Sequence, residues 1–414
     1  MRLPGAGLPA LRSRNFRLYL TGQLVSLSGT AAQQVAVSWL IYQLSSSSEL
    51  VGLGVLLQQL PIVVLAPLGG ALADRFDRRS VLLATQIAGL LQALLLGLLT
   101  VRNAASVPLV LTLSLLLGVV NCVDAPARQS IVARLLDHPR HIRNAVALNA
   151  ASLHLSRLLG AALAALVLVR FGAPACFLFN AASYVAAIAV LLRLPQTLPG
   201  AAAALSLAAL REGLRFCTRE RSIRWLFALL IVLSLLIVPY TSLLPAATTH
   251  WSGNASSYAR LMSLAGAGAL AAALAISLFH ELPLLLRSIP AAALTSAATL
   301  LALSWHSDGW VHWGLPLAVM LLGFCITIVI SGTNVVLQYQ VPEALRGRVM
   351  GLFVSAFNGI AALGALLCGA IADRVGIALT FRLAGVCGAL VAALVAVAVA
   401  RPTANTRIAG SSTA

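Results

Sequence analysis

The 414-residue chain contains no lysine and few acids: 11 aspartates and glutamates stand against 28 arginines, a formal charge of +17. Without lysine there is no phosphate-cradling Gly-x-x-x-x-Gly-Lys loop, so an ATP-driven pump would need a separate subunit. Charge of either sign is scarce, 9% of residues, where a soluble domain carries roughly 25%. With 60% hydrophobic residues, the arginines mark loops beside a membrane rather than a nucleic-acid surface. The six cysteines (Cys122, Cys176, Cys217, Cys325, Cys368 and Cys387) stand singly in apolar stretches. They read as small apolar fillers, not as a disulfide framework or a metal site. His138 and His141 lie among prolines and arginines without the cysteine or carboxylate support a metal would need. No serine, histidine and acid set is placed for catalysis at a membrane surface. The reading is a non-enzyme with no cofactor and no metal.

What the chain has is apolar length. Twelve stretches can each cross a bilayer, at about 16–42, 50–73, 80–101, 107–127, 144–169, 174–194, 223–248, 258–279, 284–304, 312–336, 348–371 and 376–400. The first follows Arg2, Arg12, Arg14 and Arg17 but runs well past a signal-peptide core of about 7–15 residues, so it is read as an uncleaved span. An even number puts both termini on one side. The termini and the loops on their side hold 22 arginines, the opposite loops only Arg102, Arg170, Arg260 and Arg374. That asymmetry predicts cytoplasmic termini. Trp305, Trp310 and Trp313 crowd one short opposite loop, as interfacial aromatics do.

Segment 195–222 is the one sizeable break. Pro195, Pro199 and an alanine run lead into a basic amphipathic stretch, Leu210 to Arg224, suited to a helix on the inner membrane surface. The expected organisation is a bundle over 1–194, a cytoplasmic linker over 195–222, a second bundle over 223–400 and a cytoplasmic tail over 401–414. The halves repeat in the same direction at an offset of 204: Leu148 falls on Leu352, Gly160 on Gly364, Arg170 on Arg374, Gly172 on Gly376 and Phe177 on Phe381. A direct repeat of six spans predicts an all-α fold of two six-helix bundles related by an axis along the membrane normal, with a seam suited to alternating access.

The inner end of span 2 reads Gly69-Gly70-Ala71-Leu72-Ala73-Asp74-Arg75-Phe76-Asp77-Arg78-Arg79. Gly70 removes a side chain where helices approach closely, and Asp74 sets an acid among arginines in a short loop. This resembles the loop signature of the major facilitator superfamily. Asn15-Phe16-Arg17-Leu18-Tyr19, Gly22-Gln23, Trp39-Leu40-Ile41-Tyr42, Gln59-Leu60-Pro61, Asp124-Ala125-Pro126-Ala127-Arg128-Gln129 and Asn144 to Asn149 add a narrower match. So does Val341-Pro342-Glu343-Ala344-Leu345-Arg346-Gly347-Arg348-Val349 before span 11. Together these resemble the branch that holds the enterobactin exporter and the macrolide efflux proteins. The resemblance implies the major facilitator fold, export by proton antiport of an amphipathic small molecule, and a monomer. It makes Gly70, Asp74, Arg75, Arg78, Arg79, Arg346 and Arg348 gate residues.

Polar residues inside spans are costly and therefore candidates for function. Arg157 lies thirteen residues into span 5, about 20 Å at 1.5 Å per residue. His154 shares its face, and Asn149 adds polarity to the same span. Asp124 is the one acid placed within a span, four residues before Arg128, a spacing that permits an ion pair if the helix survives Pro126. Asp124, His154 and Arg157 are the coupling candidates. Gln33, Gln34, Gln58, Asn149, Arg157, Tyr240, Asn334, Gln338 and Asn358 are the candidates for lining a cargo cavity; individually the neutral ones also fit as hydrogen-bonded helix contacts. Tyr240 follows Pro239, which marks a kink in span 7. A buried arginine, with Thr30 where many relatives place an acid, favours neutral or anionic cargo. The expected function is export of a siderophore-like metabolite across a bacterial inner membrane, driven by the proton gradient. The alternatives are a broad drug efflux pump and a membrane protein that senses or assembles without transporting. The expected partners are the bilayer and a small-molecule cargo, with no nucleic acid.

Overall fold

The computed structural model describes residues 9–65, 75–195, 207–251, 255–278, 281–305 and 314–400, and among these there are helices and no strands. In lipid each backbone N–H and C=O must be satisfied within its own segment, which long apolar helices achieve. Span 1 is Arg14–Ser45, span 2 Ser48–Val64, span 3 Arg78–Val101 and span 4 Val107–Ile131. A single run, Ile142–Leu192, holds spans 5 and 6. Span 7 comprises Arg221–Val232, a π turn at Leu233–Ile237 and Tyr240–Trp251. Spans 8 to 12 are Ala255–Leu278, Leu282–Leu303, Leu315–Gln340, Glu343–Val375 and Ile377–Ala400. Ten of the described helices are long and apolar enough to cross a membrane. Dividing Ile142–Leu192 and adding the 17-residue Ser48–Val64 brings the number to twelve. Gly70 and Asp74 lie outside the described residues.

The division of spans 5 and 6 rests on Gly172, at φ 77° and ψ −179° inside an otherwise helical run. This backbone region is essentially closed to residues with a Cβ. Its repeat partner Gly376, at φ 87° and ψ 156°, ends span 11 in the same way. Gly160 and Gly364 also correspond: a Cβ on the first would collide with the Ser28 carbonyl of span 1, and on the second with the Leu235 carbonyl of span 7. The 204-residue repeat is thus written into two kinds of position, a turn that needs glycine and a crossing that needs no side chain.

Several boundaries differ from expectation. Span 11 begins at Glu343 and ends at Val375, so Arg346 and Arg348 lie in its first turns and Asp373 and Arg374 in its last. Pro342 at its start and Glu343 in its first turn suit a helix N-terminus, where a carboxylate meets the positive end of the dipole. Asp124 is therefore not the sole acid on a span. The linker helix is Leu207–Arg219, stopping before Glu220, which precedes span 7. It sits against span 11 through an Arg348–Glu212 ion pair. Its Cys217 joins an apolar cluster with Ile223, Leu230, Leu337, Val349 and Phe353.

Spans 1 and 3 pack on the spans 5–6 run, span 4 packs on spans 2 and 3, and spans 8 to 10 and 12 likewise form a contiguous group. The earlier and later spans meet chiefly along two pairs, span 2 with span 11 and span 5 with span 8. The end of the molecule where span 1 begins carries most of the arginines and is called the arginine-rich end below.

Candidate functional site

One face of span 5 carries residues 146, 150, 153, 157, 161, 164 and 168, spaced by four and three as a single stripe along a helix. Val146, Ala150, Leu153 and Arg157 are exposed, whereas Ala161, Ala164 and Leu168 are buried. The buried part is where span 8 sits, with Ser263 donating to the Ala161 carbonyl at 3.0 Å. Span 1 shows the same change. Arg17, Thr21 and Val25 are exposed, while Ser28, Ala32 and Val35 on that stripe are buried, the last two in a cluster with residues of spans 7 to 12. Both stripes open toward the arginine-rich end and close toward the other. Arg157 is the last exposed residue of the span 5 stripe before its buried part begins.

The closed end is built from close contacts across the seam. Trp39 of span 1 stacks on Tyr258 of span 8, ring centroids 5.7 Å apart. Thr249 of span 7 donates to the Tyr42 hydroxyl at 3.3 Å. Glycine brings spans 2 and 11 together backbone to backbone: a Cβ on Gly52 would collide with the Ala365 carbonyl, and one on Gly369 with that of Ser48.

The predicted polar residues separate into distinct groups. Asp124 lies in a fully bonded environment. It accepts from Thr85 at 2.7 Å and Gln86 at 3.1 Å and pairs with Arg128 at 2.6 Å. Span 4 runs through Pro126 without a break, which keeps the four-residue spacing on one face. Gln33 does not lie on the open stripe of span 1: it donates to Gln92 and accepts from Asn180, both at 2.9 Å. Gln33, Gln34 and Gln58 converge instead on a small, partly open cavity among spans 1 to 4, shared with Thr30, Gln92 and Ser114, with room for about one water. Tyr240 is also withdrawn, buried in the apolar core of the later spans. Asn334 and Gln338 bond each other at 2.6 Å, and Asn358 donates to its own helix at Val354. Asn149 is half-buried, its carbonyl accepting from Ser152 at 2.7 Å. His154 lies on span 5, three residues before Arg157.

Of the gate residues, Arg75 is exposed and Arg78 buried. Arg79 donates to the Leu191 carbonyl at 2.8 Å and that of Leu192 at 2.9 Å, satisfying the end of span 6. Arg346 is exposed and Arg348 holds Glu212 of the linker helix. Arg382 of span 12 donates to Ser304 at 3.2 Å.

Two features were missed from the sequence. The first is a continuous buried polar stripe on span 1: Tyr19, Gln23, Ser26, Thr30 and Gln33, spaced by four and three. Tyr19 donates to the Arg128 carbonyl, Gln23 accepts from the Arg128 side chain, Ser26 donates to Gln86, and Thr30 meets Tyr184. The spacing alone was the available signal. The second is Asp373, whose setting, Gly369-Ala370-Ile371-Ala372-Asp373-Arg374, repeats Gly70-Ala71-Leu72-Ala73-Asp74-Arg75 almost letter for letter.

Proteins similar to this chain in sequence and architecture include transporters. The chain is 24% identical over 389 residues to the staphyloferrin A transporter of Staphylococcus aureus, covering 89% of this chain and 92% of that one. It is 25% identical over 386 residues to the multidrug efflux pump Tap of Mycolicibacterium fortuitum, covering 88% and 90%. Among solved structures, the nucleoside transporter NupG superposes with a TM-score of 0.71 at 13% identity, covering 94% of this chain and all of that one. A bacterial homologue of the lysosomal transporter Spinster superposes at 0.62 with 14% identity, covering 94% and 96%. The family model described as transmembrane secretion effector matches residues 6–413. The chain is thus a multi-pass membrane transporter, not an enzyme, and belongs to the transmembrane secretion effector family of the major facilitator superfamily.

Proposed function

We infer that the protein exports a small anionic, amphipathic metabolite of siderophore type across a bacterial inner membrane, by exchange for protons. The observation that carries this reading is Arg157, an exposed guanidinium at the last open position of the span 5 stripe, which we take to line a cavity opening at the arginine-rich end. A guanidinium in a sheltered cavity selects carboxylates through charge-assisted, often bidentate hydrogen bonds. The excess of arginine at that end supports its placement in the cytoplasm, together with both termini. The cavity would then face the compartment in which cargo is made. The likeness to a staphyloferrin A transporter supports a siderophore-type cargo.

In this reading the residues before the linker and those after it form two bundles that rock about the seam. Cargo enters from the cytoplasm and meets Arg157; the arginine-rich end closes as the opposite end opens, and cargo leaves. Asp74, Arg75, Arg78 and Arg79 hold the cytoplasmic gate in one state without touching cargo. Asp124 is the carboxylate proposed to take up the returning proton, since protonation would weaken its pair with Arg128 on the same helix and the bonds it accepts from Thr85 and Gln86 of span 3. The protein works as a monomer on the gradient alone. The likeness to Tap supports a second reading, efflux of lipophilic drugs.

The test is reconstitution in liposomes with an imposed pH gradient, using a carboxylate siderophore panel and a cationic drug panel. Gradient-driven movement of the siderophores is expected. Arg157→Gln should lower transport of anionic cargo about tenfold, the effect of losing one charge-assisted bond of roughly 1.4 kcal/mol in a wet cavity. Equal loss across cargo charges would overturn the assignment. Gradient-driven transport that persists in Asp124→Asn would move proton coupling to another group.

A further inference from the structure

We propose that Asp373 is the latch of the outer gate, a positioning residue that sets the balance between the cavity's two openings. The proposal rests on the transport reading above for what the gate does, and on contacts across the seam for how it is held.

Span 2 starts at Ser48 with Ser47 as its N-cap, whose hydroxyl oxygen accepts from the Leu50 N–H at 3.2 Å. The first N–H groups of any helix have no partner within it. Here two of them are satisfied from 325 and 324 residues away: the Ser48 N–H donates to one oxygen of Asp373 at 2.8 Å, the Glu49 N–H to the other at 3.0 Å. The Ser47 hydroxyl also donates to Asp373, at 2.6 Å. The cap of span 2 is therefore shared between its own serine and a carboxylate of span 11, which also faces the positive end of the span 2 dipole.

The approach that permits this is built into the sequence. Ala365, Gly369 and Asp373 occupy one face of span 11 at intervals of four, and Ser48 and Gly52 one face of span 2 at the same interval. Gly52 lies against Ala365, Gly369 against Ser48, and Asp373 completes the series at the open rim. The small residues bring the backbones together, and the carboxylate converts contact into a directional hold. When this end opens, the two backbone donors pass to water and all three bonds to Asp373 break. Asp373 is exposed, so the hold is made and broken at the aqueous surface without stranding a charge in lipid. The near-identical hexapeptides at 70–75 and 369–374 carry an aspartate at the same position, and the second is Asp373.

The experiment uses the full chain in liposomes, with its cysteines replaced and one reporter cysteine at Val35 or Ala161, both buried on the closed part of the cavity stripes. A membrane-impermeant maleimide is applied from the side of Asp373. Asp373→Ala should raise the labelling rate about tenfold or more, as expected for losing charge-assisted bonds worth roughly 1.4 kcal/mol or more in sum. Asp373→Asn and Ser47→Ala should give smaller increases. The paired replacement Ser47→Cys with Asp373→Cys, oxidised, should abolish labelling and transport together, both returning on reduction. Unchanged labelling in folded Asp373→Ala, or full transport by the oxidised pair, would overturn the latch. Should Asp373→Ala fail to fold, the oxidised pair decides. Increased labelling without any cargo movement by the parent protein would keep the latch and sink the transport assignment.

Discussion

The Asp124–Arg128 pair gives an asymmetric prediction. The two partners differ in what each would leave behind. The Asp124 side chain is 3% accessible and that of Arg128 19%. Replacing Arg128 with Gln strands a carboxylate in the interior with two neutral donors, Thr85 and Gln86. Removing one partner of a buried pair costs about 3–5 kcal/mol. Replacing Asp124 with Asn leaves a guanidinium that still reaches Gln23 at 3.4 Å and has some access to solvent. That loss is one charged hydrogen bond, about 1.5–3 kcal/mol. Arg128→Gln should therefore lower the thermal midpoint in detergent more than Asp124→Asn. The double variant, with no charge left, should be more stable than Arg128→Gln alone. A double-mutant cycle on thermal unfolding in one detergent reads both comparisons. Strictly additive losses, or a larger loss for Asp124→Asn, would refute the argument that burial of the carboxylate dominates.

Other predictions follow from the glycines. Gly172→Ala and Gly376→Ala should each destabilise the protein by about 1–3 kcal/mol, because both sit where a Cβ is strained; at Gly376 nothing lies within 4 Å of the added methyl, so an unchanged melting point there would show the backbone can relax. Gly52→Val and Gly369→Val should force spans 2 and 11 apart. Their expected effect is faster external labelling of a cysteine at Ala161, and unaltered labelling would show that the two helices tolerate separation elsewhere.

Much of this architecture was legible in the sequence because a membrane leaves few choices. Hydropathy located the spans, and the glycine pairs 172/376 and 160/364 exposed the repeat, since a positive φ and a side-chain-free crossing are needs that a sequence displays. The candidate site was less legible. Gln33 and Arg157 are both polar residues within apolar helices, and nothing in their immediate neighbours says which one points into its own bundle and which into open space. That depends on partners far along the chain, such as Gln92 and Asn180 for Gln33. Asp373 was hidden for a related reason. The apolar stretch fades before residue 373, but the helix continues to Val375 because Gly376 is the residue able to turn the chain.

The polar stripe on span 1 has a mechanical consequence. Five side chains over fifteen residues tie that helix to spans 3, 4 and 6 by hydrogen bonds within the bundle. Away from the Asp373 cap and the Ser263 bond to Ala161, the contacts between spans 2 and 11 and between spans 5 and 8 are made largely of glycine, alanine and bare backbone, which part with less loss. A push at one end of span 1 is consequently carried to the other end rather than absorbed between neighbouring helices. The molecule is stiff along its bonded interior and slippery where it must yield.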